Sequence, residues 1–91
     1  MRQLSFCRTS TKDIWCIIIP KWRLTNTEAE QLRLRIERMR SFDYIRMELK
    51  EDTYEFYVNY HFVSAKHIQD MVIRVNNTID KIRVFLYDKA K

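Results

Sequence analysis

Two histidines and two cysteines are the side chains of this sequence best suited to nucleophilic catalysis or to binding a transition metal. His61 and His67 are six residues apart, and Cys7 and Cys16 complete no CxxC pattern. A structural zinc site needs four ligands, which usually occur in closely spaced pairs. We therefore expect no metal ion and no cofactor, and we expect the cysteines to be reduced thiols on adjacent strands.

A proton-transfer role for His61 gives the one enzymatic hypothesis that the sequence suggests. In a metal-independent nuclease, His61 would act as a general base. Other side chains would steady the charge on the reacting phosphate, here Tyr57, Arg46 and Lys50. No feature of the sequence selects this chemistry over simple binding, so we predict that the protein is not an enzyme.

The chain contains no glycine, which excludes the phosphate-binding devices that depend on a flexible backbone. Walker loops, dinucleotide-binding fingerprints and nucleophile elbows all need glycine at fixed positions. The GXXG loop of KH domains is excluded for the same reason, and the sequence has no aromatic RNP signature. Any phosphate must therefore be bound by lysine and arginine side chains or by helix N-termini.

Positive charge is the strongest indication of a partner. Seventeen lysines and arginines against twelve acidic residues give a net charge of +5, and the pI is near 9.4. Such a balance favours a polyanionic partner. Arginine matches phosphate with a planar fork, and aromatic side chains can stack on unpaired bases. We predict a surface for nucleic acid, RNA over DNA, or for a protein partner, formed by Lys21, Trp22, Arg23, Arg38, Arg40, Tyr44, Arg46, Tyr57 and His61.

Hydrophobic periodicity predicts four strands and two helices. Alternating or continuous apolar runs place the strands at residues 2–8, 13–19, 41–50 and 54–63. Apolar residues at spacings of three and four predict helices at about 26–40 and 65–87. The candidate N-caps are Thr25, Asn26 or Thr27 for the first helix and Ser64 for the second.

The order β-β-α-β-β-α predicts an α+β fold: a two-layer sandwich with a four-stranded antiparallel sheet and both helices on one face. The chain has material for one domain, residues 1–91. Because the second strand is the most apolar, strands two and four should lie in the middle, as in a permuted ferredoxin-like sheet. The alternative is a pair of hairpins that meet only across a dimer.

Alternation assigns each strand residue to one face of the sheet. In the third strand we expect Ile45, Met47 and Leu49 under the helices. The open face should then carry Tyr44, Arg46, Glu48 and Lys50. An apolar centre on this face, or a second apolar line on the last helix, should form a homodimer interface through Ile14, Cys16, Ile18, Ile73, Val84 and Tyr87.

These features lead to one main hypothesis on function and two alternatives. No apolar run is long enough to cross a bilayer, so we expect a cytoplasmic protein with no membrane partner. The main hypothesis is a small basic binding protein that acts on nucleic acid or on a nucleic-acid-handling complex. In composition the chain also resembles the accessory inhibitors that phages and mobile elements use against host proteins, with Leu34 and its neighbouring arginines as the contact. The second alternative is the metal-independent nuclease described above.

Overall fold

The hairpins and helices predicted from the sequence assemble around one core. The computed structural model describes residues 4–11, 13–40, 43–60 and 65–88. The strands are β1 (Ser5–Arg8), β2 (Ile14–Pro20), β3 (Asp43–Leu49) and β4 (Thr53–Asn59), and the helices are α1 (Asn26–Glu37) and α2 (Ala65–Tyr87). A 3-10 turn, Lys21–Arg23, joins β2 to α1. The predicted α+β sandwich of order β-β-α-β-β-α is confirmed.

β2 and β4 form the centre of the sheet, as predicted. The strand order is β1-β2-β4-β3, and every neighbouring pair is antiparallel. β2 and β4 pair along their full length, from Ile14 opposite Asn59 to Pro20 opposite Thr53. This pairing within one chain overturns the alternative of hairpins that meet only across a dimer. Some predicted positions lie outside the described residues: 2–3, 41–42, 61–63 and the Ser64 cap.

Alternation along β2 explains why one face of the sheet is buried under the helices. Ile17 and Ile19 are fully buried on this face. Phe6 stacks on Trp15 with ring centroids 5.4 Å apart, and Tyr60 meets both rings edge-on. The helices bury the stripes that periodicity predicted, at Ala29, Leu32, Ile36, Met71, Val72, Val75, Ile79 and Ile82. Sheet and helix side chains belong to a single core.

α1 begins where the sequence predicts but ends three residues early. Thr25 is its cap: the Thr25 hydroxyl accepts a hydrogen bond from the Glu28 N–H, and the Glu28 carboxylate accepts one from the Thr25 N–H. This capping box pairs two N–H groups that a helix otherwise leaves unpaired. At the other end Arg38 and Met39 donate to carbonyls three residues back instead of four. This tighter turn ends the helix at Glu37.

A β-bulge in β3 corrects the predicted faces of this strand. Tyr44 lies opposite the buried Val58, but the next paired residue is Arg46, so Ile45 is the extra residue. Tyr44, predicted on the open face, therefore packs against the core, and Ile45, predicted under the helices, is 41% exposed. After the bulge the predicted alternation holds. Leu49 is nevertheless exposed, because it ends an edge strand.

α2 spans the predicted residues and is tied to the start of α1 by a buried carboxylate. Glu28 accepts a hydrogen bond from Arg83 Nε at 3.4 Å. Arg83 also donates to the Arg23 carbonyl, and Arg23 donates to Asn76 Oδ1 at 3.0 Å. Burial alone would raise the pKa of Glu28, but the hydrogen bonds it accepts, first from the Thr25 N–H, lower it. These contacts fix α1 against α2. Within the described ranges, no helix is long and apolar enough to span a bilayer.

Candidate functional site

The open face of the sheet carries a row of side chains that crosses all four strands: Cys7, Cys16, Tyr57 and Arg46. The Arg46 guanidinium carbon lies 4.1 Å from the centroid of the Tyr57 ring. The Tyr57 hydroxyl donates to Glu55 Oε1 at 2.8 Å, and this hydrogen bond, together with burial, raises the pKa of Tyr57. The predicted binding residues Arg46 and Tyr57 are thus brought together.

The cations beside this row are paired with a carboxylate. Glu48 Oε2 accepts a hydrogen bond from Arg46 Nε at 2.7 Å, and Glu48 Oε1 lies 3.1 Å from Lys50 Nζ. These hydrogen bonds lower the pKa of Glu48 and raise the pKa of both cations. Asp43 and Glu55 place two further carboxylates on the same face. The open face therefore offers little uncompensated positive charge.

Cys7 and Cys16 lie directly opposite each other on β1 and β2, and both are free thiols. Cys7 is exposed, whereas Cys16 is buried. Burial raises the pKa of Cys16 to about 11, and the Glu55 carboxylate adds to this effect. Cys16 is thus already covered within a single copy of the chain, which leaves little of it for the predicted dimer interface. Ile14 and Ile18, on the same face, are half-buried.

On the helical side of the molecule, a groove of about 480 Å³ lies between α1 and α2. Its volume is in the range of ligand-binding sites. From the first helix and the two residues after its end, the lining side chains are Gln31, Leu34, Arg35, Arg38 and Met39. From the second helix, they are Thr78, Lys81 and Phe85. We call this site the interhelical groove.

The interhelical groove collects three cations and, among the described side chains that line it, no carboxylate. Arg35 and Arg38 come from the first helix and the residue after it, and Lys81 from α2. The nearby acidic residues of α1 are engaged elsewhere, because Glu30 and Glu37, three and four residues from Arg33, both pair with it. The positive charge of the groove therefore remains available to a ligand.

Arg35 and Phe85 form the central contact of the groove. The Arg35 guanidinium carbon lies 5.5 Å from the centroid of the Phe85 ring. Arg35 Nε is buried and meets no hydrogen-bond acceptor in the described part of the chain. Phe85 is 54% exposed and Leu34 is 38% exposed. The groove thus combines the positive charge of Arg35, Arg38 and Lys81 with accessible apolar surface, which suits an anion that also has an apolar part.

Arg38 is the predicted binding residue that lines the interhelical groove. Arg23 instead donates its hydrogen bond to Asn76, and Trp22 beside it is 71% exposed. Other predicted residues lie away from the groove, at Lys21, Arg40 and Tyr44, or outside the described residues, at His61.

Sequence reasoning missed Lys81 and Phe85, and it considered Arg35 only as one of the arginines beside Leu34 in the inhibitor hypothesis. A signal was present: Thr78, Lys81 and Phe85 repeat at spacings of three and four beside the buried stripe of α2. The sequence of either helix alone, however, does not show that this line of α2 faces the groove residues of α1. That follows from the packing of one helix on the other.

The chemistry available at this site is binding by charge and apolar contact. Across the described residues, no three His, Cys, Asp or Glu side chains are placed to hold a metal ion. Comparisons with protein-family models, with curated proteins and with solved structures give no match.

Proposed function

We propose that this protein binds nucleic acid, with RNA preferred to DNA, by holding phosphates in the interhelical groove. The observation that carries the proposal is the convergence of Arg35, Arg38 and Lys81 on one groove whose described lining has no carboxylate. Lysine and arginine contacts to phosphate supply a large share of the affinity for nucleic acid. Because the chain has no glycine, phosphate contacts fall to such side chains or to helix N-termini.

Two neutral polar groups in the groove favour RNA. Gln31 contributes an amide that can both donate and accept. The Thr78 hydroxyl donates to the Arg74 carbonyl at 2.8 Å and keeps lone pairs that can accept. The ribose 2′-hydroxyl can bond to such groups, and its presence distinguishes RNA from DNA. The two free thiols suit a protein that acts in the reducing interior of a cell.

Titration of a short labelled RNA by fluorescence anisotropy, between about 50 and 200 mM salt, tests the proposal. With three phosphate contacts, the slope of log affinity against log salt should be about −2. It should flatten by about 0.7 for each groove variant, Arg35→Gln, Arg38→Gln and Lys81→Gln. Arg46→Gln, on the open face of the sheet, is the control and should leave the slope unchanged.

Two outcomes would overturn the proposal. One is the absence of RNA or DNA binding below about 10 μM at low salt, where even non-specific electrostatic binding should be visible. The other is a slope that flattens for Arg46→Gln but not for the groove variants, since this would place the phosphate contacts on the sheet.

An acidic protein segment is a second candidate ligand, favoured by the exposed Leu34 beside the groove arginines. Protein interfaces are enriched in arginine and in aromatic side chains, and a few central anchors supply most of their affinity. For a protein partner, Leu34→Ala should weaken binding more than Arg38→Gln does. For nucleic acid the order should be reversed, so the pair of variants separates the two candidates.

We also propose that the outer surface of α2 pairs with a second copy of the chain. Val84 and Tyr87 are each more than half exposed on this helix, and such side chains commonly mark an interaction surface when they lie together. Ile73, the third predicted residue of this line, is half exposed and lies beside Arg74 in a separate depression. Light scattering should give about twice the chain mass of 11.3 kDa, and Val84→Asp should restore the single-chain mass. A wild-type mass near 11.3 kDa at high micromolar concentration would contradict the dimer.

A further inference from the structure

We infer that the nucleic acid held in the interhelical groove is single-stranded and that one of its unpaired bases stacks on the Arg35–Phe85 pair. This inference rests on the proposed function. It specifies the ligand as an unpaired strand of several nucleotides. It also names the contact that distinguishes a single strand from a duplex.

The stacking surface is already assembled without the ligand. Arg35 lies over Phe85 with 5.5 Å between the guanidinium carbon and the ring centroid, and about half of the Phe85 surface is exposed. Unpaired bases stack on both aromatic rings and guanidinium planes. A base added to this pair would cover exposed apolar surface while a neighbouring phosphate meets the groove cations.

A duplex would use the same groove less well. Its base faces are buried within the helical stack, so it presents mainly phosphates and base edges to a protein. Such a ligand could contact Arg38 and Lys81, but it would leave Phe85 without a stacking partner. The combination of cations with an exposed ring is the arrangement found in proteins that bind single strands.

The groove continues along α2 as a second depression, which extends the site beyond one nucleotide. This depression shares Thr78 and Lys81 with the groove and adds Arg74. Arg74 and Lys81 are two turns apart on the helix, roughly 10 Å along its axis at 1.5 Å per residue. That distance is greater than the spacing of neighbouring phosphates along one strand, so Arg74 and Lys81 would meet different phosphates. Asp70 also lines the second depression, and its carboxylate would repel a backbone that ran further.

Matched single-stranded and duplex RNAs of one sequence, the single strand also carrying the fluorescent base 2-aminopurine, test the inference. We expect the single strand to bind at least about tenfold more tightly than the duplex and the fluorescence of the base to be quenched as it stacks. Phe85→Leu keeps an apolar side chain but removes the ring. It should weaken single-strand binding at least about fivefold and leave duplex binding and the salt slope unchanged.

Trp22→Leu is the matched control, because Trp22 is the more exposed aromatic side chain and lies outside the groove. It should change neither affinity nor quenching. Equal binding of single strand and duplex with a normal salt slope, unaffected by Phe85→Leu, would overturn this inference and leave the proposed function intact. Loss of stacking in Trp22→Leu would also overturn it. Failure of both RNAs to bind, or stronger competition by polyglutamate than by RNA, would overturn the proposed function itself.

Discussion

The open sheet face and the interhelical groove both place an arginine against an aromatic ring, yet they differ in what surrounds the pair. On the sheet, Arg46 lies 4.1 Å from the Tyr57 ring and is hydrogen-bonded to Glu48. In the groove, Arg35 lies 5.5 Å from the Phe85 ring and its buried Nε meets no acceptor among the described residues. The same two side-chain types thus give an internally neutralised surface in one place and an available cation in the other.

Residue spacing accounts for the difference. In a strand, residues two apart share a face, so Glu48 falls beside Arg46. In α1, residues three and four apart share a face, so Glu30 and Glu37 both fall beside Arg33. Arg35, two residues along the helix, points to another side, where no carboxylate of the described residues pairs with it. Local carboxylate placement, more than the net charge of +5, decides which arginines can meet a ligand.

Reversing one charge on each surface should give the largest contrast. Arg35→Glu removes a charge-assisted contact and adds repulsion to phosphate, so RNA affinity should fall by more than about 100-fold. Lys50→Glu changes the net charge of the chain equally but alters the open face, and it should reduce affinity less than about threefold. Anisotropy titrations at one salt concentration measure both. Equal losses would show that net charge alone drives binding.

Thiol labelling should sharpen the description of the open face. A pKa near 11 instead of the ordinary 9.0 leaves Cys16 with about a hundredth of the usual thiolate at pH 8. Iodoacetamide should therefore label the exposed Cys7 while Cys16 remains unlabelled until the protein is denatured.

The raised pKa of Cys16 also makes the free energy of unfolding depend on pH. Because the folded-state pKa is raised, its contribution to stability is complete below about pH 9 and is lost as the pH rises towards 11.

Peptide mass spectrometry of the labelled protein measures which cysteine is labelled. Denaturant unfolding between pH 8 and 11 measures the loss of stability at high pH. Rapid labelling of Cys16 in the folded protein at pH 8 would contradict the buried, raised-pKa thiol. A Cys16→Ala variant should lose the corresponding part of the high-pH dependence, which controls for lysine and tyrosine titration.

The anchor between the helices should affect stability by an intermediate amount. Glu28→Gln preserves a capping side chain but loses the charge that meets Arg83, and it should cost about 1.5–3 kcal/mol in the free energy of unfolding. Glu30→Gln breaks the surface pair with Arg33 and should cost less than about 1 kcal/mol. Urea denaturation compares the two. If the two variants lost the same free energy of unfolding, Glu28 would not be fixing α1 against α2.

The pH dependence of the Glu28→Gln effect follows from its lowered pKa. A depressed carboxylate pKa contributes stability above the ordinary value of 4.5, and that contribution disappears as the pH falls through the folded-state value. The difference between wild type and Glu28→Gln should therefore be constant near neutrality and shrink below about pH 4.5. A difference that grew on acidification would contradict the lowered pKa.

The smallest expected effect is a gain of binding on the sheet. Glu48→Gln removes the carboxylate shared by Arg46 and Lys50, so both cations become available to phosphate. RNA affinity at low salt should rise about two- to tenfold, and the salt slope should become steeper. Glu37→Gln, which frees part of Arg33 on the outer flank of α1, serves as the comparison. No change for Glu48→Gln would mean that carboxylate pairing does not limit the open face.

The fold followed from the sequence because its signals are local. The continuous apolar run of β2, the period-two alternation of β4 and the three-to-four spacing in α2 each act within a few residues. The cap of α1 was narrowed to Thr25, Asn26 or Thr27, and the structure shows that it is Thr25. The bulge at Ile45 was missed for a physical reason: Ile45, Met47 and Leu49 alternate perfectly, and the extra residue appears only when β3 pairs with β4.

The groove depends on relations that the sequence does not display. Arg38 was predicted from charge alone, but its neighbours Lys81 and Phe85 lie more than forty positions away in the chain. On the open face of the sheet, the limit of sequence reasoning was of a different kind. Glu48 was assigned to the same face as Arg46 and Lys50, but the extent to which one carboxylate neutralises both cations becomes apparent only from their distances.

The most direct test of the central claim, that phosphates are held between the helices, is an NMR titration of isotope-labelled protein with short single-stranded RNA. Binding in the interhelical groove predicts that the largest amide shift changes occur at Arg35, Arg38 and Lys81, while Cys16 and Tyr57 on the open face remain unperturbed. The largest changes at Cys16 and Tyr57, with the groove amides unmoved, would contradict the claim.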